Sequence, residues 1–237
     1  MKWTLVTGGA KGLGRNTALT LAKLGHSVVI QYRHHAAEAE EVIKQCRIYG
    51  VNAEAVCTNF RTFLDIESFI QVVLERFPEI QHLVNNVGSY SIGSALTTPL
   101  DKWEEIFMTN LHLPFLLSKA FSPSIIRNEG TITMIGVAGL QNLRADTYAS
   151  AYASAKTALL QLTRTLAKEL IAHQVRVNMV SPGYLENAID LPSDLSKIPL
   201  GKPTTLEEVS QMIAFLMDDK NRSITGQNIE IAGGIRL

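Results

Sequence analysis

Cysteine is nearly absent. Cys46 and Cys57 are the only two in 237 residues, too few for a disulfide framework or a cysteine-rich metal site, and the expectation is a reduced protein without a structural disulfide. An excess of one charge is missing as well. Lys plus Arg and Asp plus Glu both number 22, so no cationic footprint marks a nucleic-acid partner or an anionic membrane surface. No apolar stretch is long enough to cross a bilayer, and a strand-like run at Lys2 to Val6 leaves no room for a signal peptide, so cytoplasmic residence is expected. His26, His82, His112 and His173 are scattered without metal-ligand spacing, and His34 and His35 read as exposed polar residues. No metal centre is expected.

What is present is apolar content of 46% against 19% charged, enough for one large domain, residues 1–237, with an extensive core. Strand and helix signals alternate throughout, the pattern of an α/β fold of the Rossmann type: a doubly wound, mostly parallel sheet with helices on both faces. Strands are predicted at Trp3 to Thr7, His26 to Tyr32, Ala53 to Thr58, Ile80 to Asn85, Gly130 to Ile135, Val175 to Val180 and Asn228 to Ile231. Helices are predicted at Gly12 to Leu24, Ala36 to Tyr49, Ile66 to Phe77, Tyr148 to Ala172 and Leu206 to Met217. A long helix from Leu100 to Ala120 is expected to be interrupted near Pro114. No repeat or interdomain linker is evident.

Two features carry chemistry. Thr7-Gly8-Gly9-Ala10-Lys11-Gly12-Leu13-Gly14 falls where the first strand turns into the first helix, where dinucleotide-binding folds bring backbone amides up to a pyrophosphate. The end of the second strand reads Gln31-Tyr32-Arg33-His34-His35, without the carboxylate that receives a ribose 2′-hydroxyl in NAD-binding folds. Arg33 instead suits a 2′-phosphate, so NADP(H) is the expected cofactor, with Lys11 able to approach the same phosphate from the other side. Far downstream, Tyr152 and Lys156 in Tyr-Ala-Ser-Ala-Lys share a helix face. The expectation is that the Lys156 ammonium pulls the Tyr152 phenol toward neutrality, so that it can exchange a proton with a substrate oxygen.

With these residues in view, the chain resembles the short-chain dehydrogenase/reductase family over essentially its whole length. The resemblance extends to Asn85-Asn86-Val87-Gly88, similar to that family's Asn-Asn-Ala-Gly element, to Asn110, and to Pro182-Gly183 after the sixth strand. It implies a reductase with Tyr152 as proton donor, Lys156 holding the nicotinamide ribose and Asn110 organising a water that reloads the proton. The cofactor contacts it implies, with those above, are Thr7, Gly8, Lys11, Gly12, Leu13, Gly14, Tyr32, Arg33, Asn59 near the adenine, Asn86, Val87, Gly88, Tyr152, Lys156, Pro182, Gly183, and Leu185 near the carboxamide. Within the family, the chain looks most like 3-oxoacyl-carrier-protein reductases, while Tyr32-Arg33 with Ala36-Ala37-Glu38-Ala39 also resembles pteridine reductases. The implied partners are a small-molecule substrate, including a carrier-linked acyl group, and further copies of the chain in a homotetramer or dimer.

The chain departs from the family before Tyr152. Where a serine hydroxyl positions the substrate carbonyl, it reads Met134-Ile135-Gly136-Val137-Ala138-Gly139, and neither Gly136 nor Val137 supplies a donor. Such a donor is worth about 3 to 4 kcal/mol in the transition state; Gln141, Asn142 and Ser89 are the candidate substitutes. Asn187 replaces a threonine after the Pro-Gly turn and either meets the cofactor or caps the next turn. The lid at 188–198 is short, and Ala232 replaces an aspartate near the carboxy terminus. Two readings follow: an NADPH-dependent reductase of a 3-oxoacyl thioester, ketone or pterin-like substrate, or an NADP(H)-binding protein that lost efficient turnover and acts as a sensor or structural subunit.

Overall fold

The computed structural model describes residues 1–142 and 144–235. Seven strands, all parallel, form one sheet in the order β3-β2-β1-β4-β5-β6-β7. They are β1 (Trp3–Val6), β2 (Val28–Tyr32), β3 (Ala53–Cys57), β4 (Ile80–Asn85), β5 (Thr131–Ile135), β6 (Arg176–Pro182) and β7 (Asn228–Ile231). Every residue of β5 and β6 is buried, as expected of central parallel strands covered on both faces. Among the described residues, seven α-helices connect the strands: α1 (Gly12–Lys23), α2 (Ala36–Ile48), α3 (Phe63–Arg76), α4 (Leu100–Phe107), α5 (Leu113–Arg127), α6 (Ser150–Leu170) and α7 (Leu206–Met217). Among the described residues, no helix is long and apolar enough to cross a membrane. Cys46 is buried, Cys57 is exposed, and both are free thiols.

The core has two layers. Leu13, Ala18 and Leu21 of α1, Val42 of α2, and Ile213 and Leu216 of α7 pack on one face with Val6, Ile30 and Val84. Phe69 of α3, Leu117 and Phe121 of α5, and Leu159 of α6 pack on the other with Leu5, Leu83, Ile132 and Val177. The chain runs outward from β1 to β3, then crosses back to β4 and runs the other way. The connections beyond β1 and β4 therefore diverge, which opens a crevice at their carboxyl ends.

Several expected boundaries shift. Helix α3 starts at Phe63 rather than Ile66, because Thr62 accepts from the Asp65 N–H while the Asp65 carboxylate accepts from the Thr62 N–H, a reciprocal cap. The long helix is interrupted near Pro114, as expected, by a π turn over Met108–His112; Pro114 itself sits in the first turn of α5, where a missing N–H costs nothing. α5 then runs on to Arg127, seven residues past the expected end. Helix α6 starts at Ser150 rather than Tyr148, because Asp146 Oδ1 accepts from the backbone N–H groups of Tyr148 (2.9 Å) and Ala149 (2.8 Å) and turns the chain into the helix.

Candidate active site

The glycine-rich turn is held from three sides. Thr7, buried at the end of β1, accepts with Oγ1 from the N–H groups of Asn86 (2.9 Å) and Val87 (3.0 Å). The Asn86 side chain returns a bond to the Thr7 carbonyl at 2.9 Å, so the Asn-Asn-Val-Gly element and the turn brace one another. Gln31 Oε1 accepts from the Gly8 N–H at 2.9 Å while its Nε2 donates to the Thr58 carbonyl at 2.6 Å. Gly8 adopts φ +66, and a Cβ on Gly14 would lie 2.2 Å from the Gly8 carbonyl oxygen. Only glycine at Gly14 lets α1 close this tightly on the strand end, bringing its first-turn N–H groups to the crevice. The bracing role of Gln31 escaped sequence reasoning, which read that segment only for charge.

A groove of about 1500 Å³ runs from the turn past the ends of β2 and β3, lined by Gly8, Lys11, Arg33, Asn59, Val87 and Gly88 among others. Arg33 is exposed there and makes no ion pair among the described residues. Lys11 lines the groove too, but its Nζ lies 3.0 Å from Glu38 Oε1, which also faces His35 at 3.5 Å. Its charge is thus shared with α2, because the start of that helix carries Glu38 back toward the turn. Thr7, Gly12, Leu13, Gly14 and Tyr32 do not line the groove. Leu13 is buried in the core cluster with Ile30 and Val84, which leaves only its backbone to meet a ligand. The tight turn that glycine at Gly14 permits, the helix N-terminus it brings to the crevice and the unpaired guanidinium of Arg33 together fit a dinucleotide carrying an extra phosphate.

Beyond Asn86, Gly88 and Tyr90 the groove continues into a cleft of about 550 Å³ lined by Tyr152, Lys156 and Asn110, and across from them by Pro182, Gly183 and Leu185. Tyr152 and Lys156 stand on one face of α6, with Lys156 Nζ 5.5 Å from the centre of the Tyr152 ring. Lys156 is 4% exposed and donates to the Ile135 carbonyl at the end of β5 at 2.6 Å. Asn110, buried in the π turn, donates to the carbonyls of Ser89 (2.8 Å) and Ile106 (3.0 Å). Its Oδ1 is buried without a partner among the described residues and lies under Gly88, where a Cβ would sit 2.4 Å from it and 3.6 Å from Lys156 Nζ. The expected triad is therefore brought together, with an open acceptor beneath it.

The electrostatics of the pair differ from the expectation. Burial, with the Asp190 carboxylate adding to it, raises the Tyr152 pKa above the ordinary phenol value instead of pulling it toward neutrality. The same burial brings the Lys156 pKa down to about 7. The desolvation of both groups outweighs their mutual effect. Helical spacing alone says nothing about depth, and Asp190 joins the site from a distant loop.

The end of β5 offers no hydroxyl to the cleft. Gly136 and the partly buried Val137 both line the cleft, and neither supplies a donor; a Cβ on Gly136 would lie 2.2 Å from Ser181 Oγ and 2.5 Å from Met179 Sδ, so that position has no room for a side chain as the chain stands. Two of the three candidate substitutes are engaged elsewhere. Gln141 donates to the Asn228 carbonyl at 3.0 Å, Ser89 donates to Glu105 Oε1 at 2.9 Å, and Asn142, although it lines the cleft, is exposed. Asn187 leans over the turn, its Nδ2 3.0 Å from where a Gly12 Cβ would be, which favours the cofactor side over a helix cap. Tyr90 and Asp190, joined by a hydrogen bond of 3.1 Å, also line the cleft and were missed, because no spacing rule links residues so far apart in the chain.

Comparison with known proteins agrees with this architecture. The model of the family described as enoyl-(acyl carrier protein) reductase matches residues 8–236. A 3-oxoacyl-(acyl-carrier-protein) reductase from Synechocystis sp. is 32% identical over 98% of this chain and 95% of its own length. The chain belongs to the short-chain dehydrogenase/reductase family. Among solved members of that family, a short-chain dehydrogenase from Burkholderia cenocepacia in complex with NADP superposes with a TM-score of 0.88 at 28% identity, covering 98% of this chain and 97% of the other. A blue fluorescent protein from a metagenomic library in complex with NADPH superposes with a TM-score of 0.92 at 25% identity, covering 100% and 98%.

Proposed function

We propose that the chain is an NADP(H)-dependent reductase acting on a carbonyl compound, with Tyr152 as proton donor. The observation that carries this reading is the continuity of one crevice: the unpaired Arg33 lies at its far end, and Tyr152, Lys156 and Asn110 line its near end. The relatives named as 3-oxoacyl-carrier-protein reductases and the neighbours with NADP or NADPH in place support it. When bound, the nicotinamide supplies hydride; the rest is the work of the protein. Arg33 holds the 2′-phosphate, the α1 turn receives the pyrophosphate, and Asn59, Asn86, Val87 and Gly88 border the adenosine side. Pro182, Gly183 and Leu185 border the other end.

Tyr152, kept protonated at neutral pH by its burial, gives its proton to the substrate heteroatom, the transfer a reduction requires. Lys156, with a pKa of about 7, returns a proton toward the phenol, and the unpartnered Asn110 Oδ1 marks the route behind it. Exposed apolar side chains on and before α4 and on α5, Leu96, Leu100 and Phe115, support assembly with further copies of the chain. The test is NADPH oxidation against an acetoacetyl thioester, a dihydropterin and simple ketones. Turnover with any of them is expected; NADPH binding without turnover on all three would favour the sensor reading, which the lack of a donor at Gly136 and Val137 motivates.

A further inference from the structure

Two polar groups in the cleft have no part in the proton transfer just described. Tyr90, on the loop after β4, donates its phenolic hydrogen to Asp190 Oδ2 at 3.1 Å and so joins that loop to the one after β6. Its ring stands edge-on to the ring of Tyr152, centroids 5.0 Å apart at 87°. Both residues line the same cleft as Tyr152 and Lys156. With its hydrogen on Asp190, Tyr90 presents acceptor lone pairs only, and Asp190 Oδ1 makes no hydrogen bond among the described residues. The pair is thus a fixed acceptor carrying negative charge. Burial raises the pKa of both phenols, and the Asp190 carboxylate adds to it.

This polarity is the reverse of what a plain ketone needs. Negative charge develops on a carbonyl oxygen during reduction and is helped by donors, yet Val137 supplies none and the nearby carboxylate opposes that charge. A nitrogen carrying a proton is favoured by the same carboxylate. Of the other charged groups lining the cleft, Arg144 is exposed to solvent, Asp146 is acidic and holds the start of α6, and Lys156, 5.5 Å from the centre of the Tyr152 ring, is bonded to the Ile135 carbonyl and has a pKa brought down to about 7 by burial.

We propose that Tyr90 and Asp190 are the specificity element of this cleft, selecting a substrate with a protonated or N–H-bearing nitrogen next to its reducible carbon over an uncharged ketone or acyl thioester. The assignment rests on the reductase reading above. Tyr90 acts by positioning the carboxylate and Asp190 by contacting the nitrogen.

Matched probes separate the two ideas. The ratio of kcat/KM for aminoacetone to that for 2-butanone, read by NADPH oxidation, is expected to exceed tenfold in the wild type, the order of one charge-assisted hydrogen bond. D190N should bring that ratio to near one, and Y90F should lower it severalfold. A ratio near one in the wild type, or one unchanged by D190N, overturns the proposal while leaving the reductase standing. Should no carbonyl turn over, the reductase reading fails, and selectivity is read instead by calorimetry with NADP⁺ present. Tighter binding of 1-amino-2-propanol than of 2-butanol, lost in D190N, supports the element; equal binding overturns it.

Discussion

Arg176 and Lys156 are both cations buried inside the protein, at opposite ends of the same sheet, and they are held in opposite ways. At the amino end of β6, Arg176 gives its guanidinium hydrogens to the carbonyls of Leu216, Met217 and Asp218, closing the last turn of α7. At the carboxyl end of β5, Lys156 has a single carbonyl, that of Ile135. Exposure does not distinguish them, 3% against 4%; the number of acceptors does. A buried charge with a full set of partners is part of the scaffold, whereas one with too few holds its proton loosely. His82, 4% exposed at the same end as Arg176 and bonded to Thr131 Oγ1 at 2.8 Å, belongs to the scaffold class as a neutral ring.

The sharpest way to break this contrast is at the near end of the crevice. Tyr152→Phe should lower kcat about 10²- to 10⁴-fold, the range of a lost general acid, with NADPH affinity unchanged by fluorescence titration. Next in size, R176M should cost about 3 kcal/mol in urea unfolding, since it leaves several buried carbonyls without donors. Lys156→Met should cost far less stability and yet abolish turnover; equal losses of stability would erase the distinction. Arg33→Ala should weaken NADPH roughly tenfold to a hundredfold while leaving NADH nearly unchanged, the range of a charge-assisted bond to phosphate.

The pH dependence of folding offers a gentler probe, limited to about 1.4 kcal/mol per pH unit for each proton. Lys156 binds its proton below its ordinary 10.5 when unfolded but only below about 7 when folded. Stability from the neutral amine is therefore present above 10.5 and lost as pH falls to 7, a slope that Lys156→Met should flatten in denaturant titrations. For His82 the window lies between its ordinary 6.5 and about 3, so stability falls with acidification across that range. Smallest of all, Val137→Ser should raise kcat for an uncharged ketone by roughly tenfold, part of what an oxyanion donor is worth; no gain would mean that the substrate does not need one.

Much of this was legible from residues alone because it rests on local rules. Alternating periodicities located all seven strands, and four-residue spacing placed Tyr152 and Lys156 on one face. The glycine turn and the absence of an acid after β2 pointed to the far end of the crevice. What stayed hidden depends on depth or on distant chain segments. Burial and Asp190 decide the state of Tyr152, and neither can be read from Tyr-Ala-Ser-Ala-Lys. That Gly136 has no room for a side chain depends on Met179 and Ser181 on the neighbouring strand. The pairing of Thr62 with Asp65 is visible in the sequence as a capping pattern, and it starts α3 three residues before the helix that apolar periodicity predicts.

The π turn at Met108–His112 has a consequence for insertion and deletion. A π turn accommodates one residue more than a regular helix would, and Asn110 occupies that bulge. Removing a single residue between Asn110 and Pro114 would let α4 and α5 merge into a more regular rod. The same excision would swing the amide by about 100° around the axis relative to the following segment, so a local gain in order would disconnect the proton route, and this turn should tolerate exchange of side chains better than any change of length.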